Sequence, residues 1–390
     1  MAGVAGATPE GIQASIRPPL DRRRTTLLLV GVALAGGAVW GWVSVGMSVT
    51  ALLAGLGDMR ALLERMIPPR FVEPGRIVGL AIETFFIAYL GTFVSVVLAT
   101  PLAFLAARNT TPHPVAWRAA RAVIVVCRAI PDVVFALIFV RAVGIGPLPG
   151  VLAIGLHSIG MVGKLYADSI EQIDEGQREA VLATGATPGQ AIATGVVPQV
   201  LPAFIGTALY RLDINLRISV ILGLVGAGGI GFELQNTLRS LIYDRAMGIV
   251  VVIMALVICV EFLSAAVRHS IIDARGTSAA APFDRERLRP PWARERVVKT
   301  GYLALFAAGL ATTFLAVDVS PLELLASLSD VWRTTLRLFP PDFSTARSGI
   351  VGGMTETVAI GLVATTIGLV LTIPLGFLSA RNVAPNRGVY

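Results

Sequence analysis

A series of long apolar runs, each long enough to cross a lipid bilayer as a helix, constrains the fold of this chain most. About 20 apolar residues are needed to span a hydrocarbon core of about 30 Å. Eight segments meet this requirement, to within several residues at each end: 25–45, 79–106, 122–145, 148–166, 201–230, 247–267, 300–317 and 350–380. Because lipid offers no hydrogen-bonding partners to an exposed backbone, the runs predict an all-α polytopic membrane protein with about eight transmembrane helices.

Composition supports this class and argues against others. The chain is 55% hydrophobic and 15% charged, with a mean hydropathy of +0.75, which is far from the balance of a soluble domain. Its net charge of +7 comes without a basic stripe interleaved with aromatic residues, which argues against nucleic-acid binding. The cysteines and histidines are scattered and form no metal-ligand motif, so no metal site is predicted.

The basic residues predict the orientation in the membrane, because short cytoplasmic loops are enriched in lysine and arginine. A cytoplasmic N-terminus places three basic regions inside: residues 22–24, 108–121 and 268–299. The run 25–45 lacks a convincing cleavage site after it, so we expect it to be retained as the first helix. The sequence therefore predicts a multi-pass membrane protein with its N-terminus in the cytoplasm.

A tandem repeat relates the two ends of the chain. Residues 101–109 (PLAFLAARN) match residues 374–382 (PLGFLSARN), and the Glu-Thr pair at 83–84 matches the pair at 356–357. The offset is about 272 to 273 residues throughout, and the second copy stops at the equivalent of about residue 117. We therefore expect either a fragment of a longer fused protein or a second copy that has degenerated.

These features divide the chain into four predicted parts. The first part, residues 1–49, holds an N-terminal tail and the first helix, and the second, 50–272, is a complete first copy. Residues 273–299 are rich in Arg, Pro and Ala without apolar periodicity, which is typical of a linker. Residues 300–390 then hold an additional helix and the truncated second copy.

A polar and acidic loop at 171–199 carries the most specific motif. Glu179-Ala180 is followed by Gly185 and then by Pro198, a spacing that resembles the EAA signature of ABC importer permeases. The departures from that signature are mild and apolar: Val181, Gly195 and Val197. A short surface helix with small residues can approach a partner closely, although an ordinary amphipathic interfacial loop would have a similar composition.

Polar and charged side chains interrupt the apolar run 201–230 at four positions: Arg211, Asp213, Asn215 and Arg217. An acid four residues before a base predicts a pair between Asp213 and Arg217 on one helix face, with Arg211 and Asn215 on another. Arg211 then lacks an acidic partner within the segment, which suits a path for an anionic substrate. The alternative is that Arg211 pairs with Glu83 or Glu261 of other spans and serves only packing.

The glycine-rich stretch that follows, 222–231, allows close helix approach or a broken helix end. From Glu179 through the charged segment to these glycines, the chain resembles the phosphonate permease family of ABC importers. The Arg128-Ala129-Ile130-Pro131-Asp132 stretch and the two Ala-Arg-Asn ends resemble it as well. The resemblance covers about residues 50–272 and again 320–390, and it implies the type I ABC importer permease fold with a partial second repeat.

The resemblance implies a transport subunit of the bacterial inner membrane without a catalytic site or cofactor of its own. Phosphonate, phosphate or phosphite would arrive from an extracytoplasmic binding protein, and a cytoplasmic ATPase dimer would hydrolyse ATP with Mg. A second permease half or a homodimer would complete the assembly. The implied coupling residues are Glu179, Ala180, Gly185 and Pro198. The implied path residues are Arg211, Asp213, Asn215, Arg217, Arg128 and Asp132.

Three alternatives to this function stay open from the sequence. One is the same kind of importer for methionine or betaine, although the arginines within the membrane argue against a cationic substrate. Another is a secondary transporter driven by an ion gradient, which would not need the loop 179–198. The third is a membrane-embedded enzyme, for which the chain lacks a convergent nucleophile, base or metal cluster.

Overall fold

A computed structural model describes residues 22–272, 308–313, 321–340 and 347–379, and its regular structure within these residues is helical. The helices, in chain order, are α1 Arg22–Ser44, α2 Val49–Met66, α3 Pro74–Ala106, α4 Pro114–Ala129, α5 Asp132–Val143, α6 Pro147–Glu171, α7 Glu175–Ala183, α8 Pro188–Ala191, α9 Val197–Gly223, α10 Gly229–Arg239, α11 Tyr243–Ile272, α12 Pro321–Arg337 and α13 Arg347–Ser379. A π-helical turn, Ile192–Val196, joins α8 to α9.

Six of the described helical segments are long and apolar enough to cross a membrane, and the count rises to seven if α4 and α5 form one bent span. The six are Thr25–Ser44, Pro74–Ala106, Pro147–Glu171, Pro188–Gly223, Tyr243–Arg268 and Gly349–Ser379. The predicted all-α polytopic class is therefore confirmed. The seventh predicted span, 300–317, lies largely outside the described residues.

The predicted run 122–145 forms two helices instead of one, because α4 and α5 meet at a bend of 86°. The break falls at Ile130, which has extended backbone angles (φ −89°, ψ 122°), and at Pro131 after it. Proline has no backbone N–H and disfavours helical angles in the residue before it. The sequence therefore places the break where the Arg-Ala-Ile-Pro-Asp stretch lies.

The predicted span over 201–230 is also wrong at its C-terminal end. The long helix ends at Gly223, and three glycines with left-handed φ values follow: Gly226 at 103°, Gly228 at 76° and Gly229 at 71°. Residues with a Cβ rarely adopt such angles, so the turn depends on glycine. The chain then reverses into the short helix α10, in agreement with the broken helix end that the glycine-rich stretch predicts.

The chain forms two compact units, and the larger one comprises Leu62–Phe339. Its core lies where α3, α6 and α9 cross, and many of its fully buried residues are small, including Ala99, Ala103, Ala153 and Ala167. A Cβ on Gly91 of α3 would lie 2.7 Å from Cγ2 of Ile154 in α6. Close approach through small residues is how helices pack in lipid, where apolar burial between helices gives no driving force.

The smaller unit comprises Met1–Ala61 and Pro340–Tyr390, and within its described residues α1 packs against α13. A Cβ on Gly41 of α1 would lie 2.8 Å from the carbonyl oxygen of Ala359, and Ala359 and Val363 are buried there. Most other side chains of α13 are exposed; Met354, for example, is 64% exposed. The predicted linker at 273–299 lies outside the described residues, and the four-part division stays a prediction.

The structure extends the internal repeat to whole helices. α3 and α13 each contain 33 residues, and both their first and their last residues are 273 positions apart (74 to 347 and 106 to 379). Glu83 and Thr84 of α3 therefore correspond to Glu356 and Thr357 of α13. The two copies share helix length and register as well as sequence.

Candidate functional site

A buried polar network surrounds Arg211 in the middle of α9. The Arg211 guanidinium donates to Ser158 Oγ at 2.9 Å and to Asn215 Oδ1 at 3.0 Å, and Asn215 Nδ2 donates to Thr92 Oγ1 at 2.8 Å. Arg211 is 3% exposed, and Asn215 and Ser158 are fully buried. Helices α3, α6 and α9 each contribute to this network, so it lies where the core of the larger unit is packed most closely.

The charge of Arg211 is hydrogen-bonded but has no acid in contact. Within the described part of the chain, no carboxylate oxygen lies within 4.0 Å of its guanidinium. Arg211 Nε is buried and has no hydrogen-bond partner among the described residues. A buried cation is costly unless it is paired or fully hydrogen-bonded, so a charge held in this way is a candidate for function.

Both packing partners suggested for Arg211 from the sequence are wrong. Glu83 instead accepts a hydrogen bond from the backbone N–H of Gly229 at 3.0 Å. Glu261 lies 3.6 Å from Arg217. The prediction that Arg211 and Asn215 share one helix face is confirmed, and they hydrogen-bond each other at 3.0 Å.

The second predicted pair on α9 is also confirmed. Arg217 contacts Asp213 at 3.0 Å, one helical turn away, and it reaches Glu261 of α11 as well. The Arg217 side chain is 49% exposed, whereas that of Asp213 is 16% exposed. Arg217 is therefore neutralised locally, and of the two arginines only Arg211 is buried without an acid in contact.

The break between α4 and α5 lies against α6 close to the Arg211 network. His157 Nδ1 is 3.2 Å from the carbonyl oxygen of Ile130, and Ser158 follows directly in the chain. A Cβ on Gly160 would lie 2.6 Å from Cγ of Arg128, so the stem of Arg128 rests on the backbone of α6. Asp132 opens α5 and accepts from the N–H of Val133 at 2.8 Å. The structure thus brings the predicted residue Arg128 to the helix that carries Ser158, and Asp132 lies at the start of the helix after the break.

Two side chains of α3 cap the glycine turn between α9 and α10. Glu83 Oε1 accepts from Gly229 N at 3.0 Å, and Thr84 Oγ1 accepts from Ile230 N at 2.8 Å. The first N–H groups of a helix have no partner within the helix and need acceptors of this kind. The Glu-Thr pair of the repeat therefore has a definite structural role in the first copy.

Replacing Gly231 with alanine is expected to destabilise the larger unit, because a Cβ there would clash with the backbone carbonyl oxygen of Val220. Overpacking of this kind costs about 1–3 kcal/mol, and more where the obstacle is backbone. The thermal unfolding midpoint of the detergent-solubilised protein should fall by several degrees. Gly79→Ala is the control, since a Cβ at Gly79 meets nothing within 4 Å. Equal midpoints for the two variants would contradict the close packing at the turn.

The loop with the EAA-like motif folds into the short helix α7, followed by Gly185 and α8. Glu179 and Ala180 lie on α7, Gly185 follows it with a left-handed φ of 84°, and Pro198 lies at the start of α9. All nine residues of α7 have some solvent exposure, and none is buried. The predicted short surface helix is confirmed, and its surface is available to a partner.

The N-terminal end of α7 is fixed by polar contacts. Asp174 caps it by accepting from Gly176 N at 3.0 Å, and Arg178 contacts Glu175 at 2.6 Å. The hydrogen bond from Arg178 lowers the pKa of Glu175 most. Burial raises this pKa by a smaller amount, and the hydrogen bond from Asn109 and the charge of Arg178 lower it further. Because the pKa is lowered on folding, this stabilisation is complete above the ordinary carboxyl pKa and is lost as the pH falls through the lowered value.

Sequence reasoning missed three residues that the structure brings to these sites: Thr92, Ser158 and Asn109. Hydroxyl residues are common in apolar helices, where they bond the preceding turn, so Thr92 and Ser158 gave no signal of their own. Asn109 belongs to the Ala-Arg-Asn ends of the repeat, and that repetition was the one available sign. In the described ranges no group of three or more His, Cys, Asp or Glu side chains is placed to hold a metal ion.

Comparisons with known proteins agree with this architecture. The family described as binding-protein-dependent transport system inner membrane component matches residues 99–273. Over 227 residues the chain is 44% identical to the phosphite transport system permease protein PtxC of Stutzerimonas stutzeri, which covers 58% of this chain and 82% of that protein. The chain belongs to this inner membrane permease family. The resemblance inferred from the sequence is thereby confirmed at the level of the family.

The permease is also 48% identical over 341 residues to the phosphate-import permease protein PhnE of Mycolicibacterium smegmatis. The alignment covers 87% of the permease but 62% of that relative, so the permease spans less than two thirds of its length. A chain of the MetNI methionine ABC transporter, solved in an inward-facing conformation, aligns over 51% of the permease and 99% of its own length, with a TM-score of 0.45 and 22% identity.

Proposed function

We propose that the permease moves phosphonate or a related oxyanion, phosphate or phosphite, across the cytoplasmic membrane of a bacterium. One observation carries the proposal: Arg211 is 3% exposed at the crossing of three helices, and no acid contacts it among the described residues. A guanidinium presents several N–H donors in a plane that fits an oxyanion. The relatives from Mycolicibacterium smegmatis and Stutzerimonas stutzeri, named for phosphate and phosphite, support the same substrate class.

The path residues of this proposal are those around α6 and along α9. Arg211 would meet the anion, with Asn215 and Ser158 orienting its guanidinium. Asp132 and Arg128 would form the neighbouring wall at the helix break, since broken helices within a membrane line substrate sites in many transporters. In the conformation of the structure the guanidinium is closed off, so substrate would reach it when the helices move apart.

Uptake tests the proposal against its rivals directly. In a host without oxyanion importers of its own, the permease with its ATPase and binding protein should take up labelled phosphonate, phosphite or phosphate. Labelled methionine and betaine should not be imported. Uptake of either instead of the oxyanions would overturn the substrate class, and uptake that follows an ion gradient without ATP would overturn the ATP-driven mechanism.

We propose further that α7 and the residue after it dock on a cytoplasmic ATPase, which binds ATP and Mg while the permease itself binds no cofactor. The coupling residues would be Glu179, Ala180, Gly185 and Pro198. An N-terminus in the cytoplasm would place this loop on the cytoplasmic side of the membrane, where the ATPase lies. The exposure of α7 and the open space around Gly185 support the assignment. An extracytoplasmic binding protein would deliver the substrate to the opposite side.

We also propose that a second permease half completes the assembly, seated on α13. In the first copy, Glu83 and Thr84 accept hydrogen bonds from the glycine turn. The equivalent Glu356 and Thr357 are exposed. A second half with an unoccupied glycine turn fits them better than a second copy of this chain, whose turn is already capped by its own α3.

The permease alone, beside a single ATPase, is therefore expected to import nothing, and uptake should appear when a second half is supplied. Glu356→Gln with Thr357→Val should lower that uptake about tenfold, since loss of a hydrogen-bonding partner costs about 1–3 kcal/mol. Thr366→Val is the control: Thr366 makes the same bond to its own helix as Thr357, but its equivalent in α3, Phe93, lies away from the turn contacts. An active monomer beside one ATPase would contradict the proposal.

A further inference from the structure

Very few contacts hold α7 to the membrane-spanning helices, although α7 is the part of the permease proposed to meet the ATPase. None of its residues is buried, so a hydrophobic interface does not fix its position. Its first residue, Glu175, instead receives a hydrogen bond from Asn109 Nδ2 at 2.7 Å. The same Nδ2 donates to the carbonyl oxygen of Ile170 at 2.7 Å, near the end of α6.

A second side-chain amide makes an equivalent attachment from α9. Gln199 Oε1 accepts from Asp174 N at 2.9 Å, and its Nε2 donates to the carbonyl oxygens of Asp174 at 3.2 Å and Gly195 at 2.6 Å. Asp174 is the N-cap residue of α7. Gln199 therefore holds the start of α7 by its backbone, at the residue before the one that Asn109 contacts.

A third contact reaches the backbone of α7 further along the helix, at Arg178. A Cβ on Gly195 would lie 3.0 Å from Cα of Arg178, so the π-helical turn before α9 touches the backbone of α7. Arg178 in turn holds the Glu175 carboxylate that Asn109 contacts. The attachments of α7 thus form one connected set.

The chain segment that carries Asn109 is itself held by hydrogen bonds to the end of α6. Glu171, at the end of α6, accepts from the backbone N–H of Arg108 at 3.0 Å and from Arg121 Nη2 at 2.7 Å. The ends of α3 and α6 and the first half of α4 are therefore tied together beside Asn109. Because these helix ends are held together beside Asn109, they would move with α7 instead of absorbing its displacement.

We propose that Asn109 and Gln199 are positioning residues that pass the displacement of α7 to the ends of α3 and α9. These are the two helices that hold Thr92, Asn215 and Arg211, so the same attachments connect the ATPase-facing helix with the buried cation. These hydrogen bonds set the direction of a displacement, because Asn109 holds Glu175 to the end of α6 and Gln199 of α9 holds Asp174. The inference rests on the proposed coupling role of α7.

The test replaces Asn109 with aspartate in the full chain, assembled with its ATPase. Two carboxylates would then face each other across the 2.7 Å contact with Glu175, which breaks the attachment by repulsion. We expect oxyanion uptake to fall about tenfold while ATP hydrolysis continues, so that more ATP is spent for each substrate moved. In the double variant with Glu175→Gln, the amide at position 175 can donate to the carboxylate at position 109, so much of the uptake should return. Uptake by the wild type, the two single variants and the double variant forms a double-mutant cycle that measures the coupling between the two residues.

Asn236→Asp is the matched control, because Asn236 lies exposed on α10, away from α7, and should leave uptake unchanged. Uptake at the wild-type level in Asn109→Asp would overturn the inference. Loss of uptake and hydrolysis together, without recovery by Glu175→Gln, would also overturn it and assign Asn109 a purely structural role. Cysteine crosslinks from α7 to the ATPase in the wild-type background test the underlying proposal separately: their absence sinks the coupling role of α7, whatever Asn109 does.

Discussion

Replacing Gly185 with tryptophan is expected to abolish ATP-driven uptake while the permease still reaches the membrane in normal amounts. Gly185 has a left-handed φ of 84°, and a Cβ there would meet nothing within 4 Å. The variant therefore bears a local backbone cost of about 1–2 kcal/mol without a clash inside the fold. A bulky side chain beside α7 would instead hold the ATPase away. Uptake by membrane vesicles and the amount of permease in them are the two measurements.

Two controls separate the docking effect from backbone strain. Gly46 also has a left-handed φ, 67°, and open space around it, but it follows α1, so Gly46→Trp should transport nearly normally. Gly185→Asn keeps a residue that tolerates left-handed angles and should retain most of the uptake. If cysteine crosslinks from this loop never reach the ATPase, or if Gly185→Trp transports like the wild type, the coupling assignment fails.

Replacing Arg211 with alanine is expected to lower oxyanion uptake by about ten- to hundredfold. Hydrogen bonds to a charged group contribute about 1.5–3 kcal/mol each, and the anion would lose its charged partner. Folding should suffer less, because Asn215 and Ser158 bond each other at 3.0 Å and stay satisfied without the guanidinium. Arg211→Met, which keeps most of the volume, should be nearly as inactive as Arg211→Ala and better folded.

Arg217→Ala provides the comparison on the same helix. Arg217 is half-exposed and lies against two acids, so its charge is already compensated. We expect its removal to reduce uptake less than removal of Arg211, with thermal unfolding midpoints of the variants measured in parallel. If Arg211→Ala and Arg217→Ala both import oxyanion at wild-type rates, α9 does not line the path and its charges serve packing.

Local pattern was sufficient for much of this protein. Apolar runs of the length that crosses a bilayer specified the membrane class, and the i to i+4 spacing specified the Asp213–Arg217 contact. The left-handed turns at Gly226 to Gly229 followed from glycine itself, and the motif at Glu179 to Pro198 specified a short surface helix. Each of these depends on residues that are close in the chain, so the sequence alone determines it.

Tertiary structure decided what depends on distant segments. Small residues let α3, α6 and α9 approach closely, and this brings Thr92, Ser158 and Asn215 together around Arg211. The periodicity within one helix carries no information about where that helix crosses another. The hydrogen-bond partner of Glu83 likewise lies in a glycine turn 146 residues away in the chain. Run length also could not distinguish one straight span from the 86° break at Pro131, because hydropathy measures composition and not direction. Partner choice for a buried charge is a property of packing, which the sequence specifies only through the whole fold.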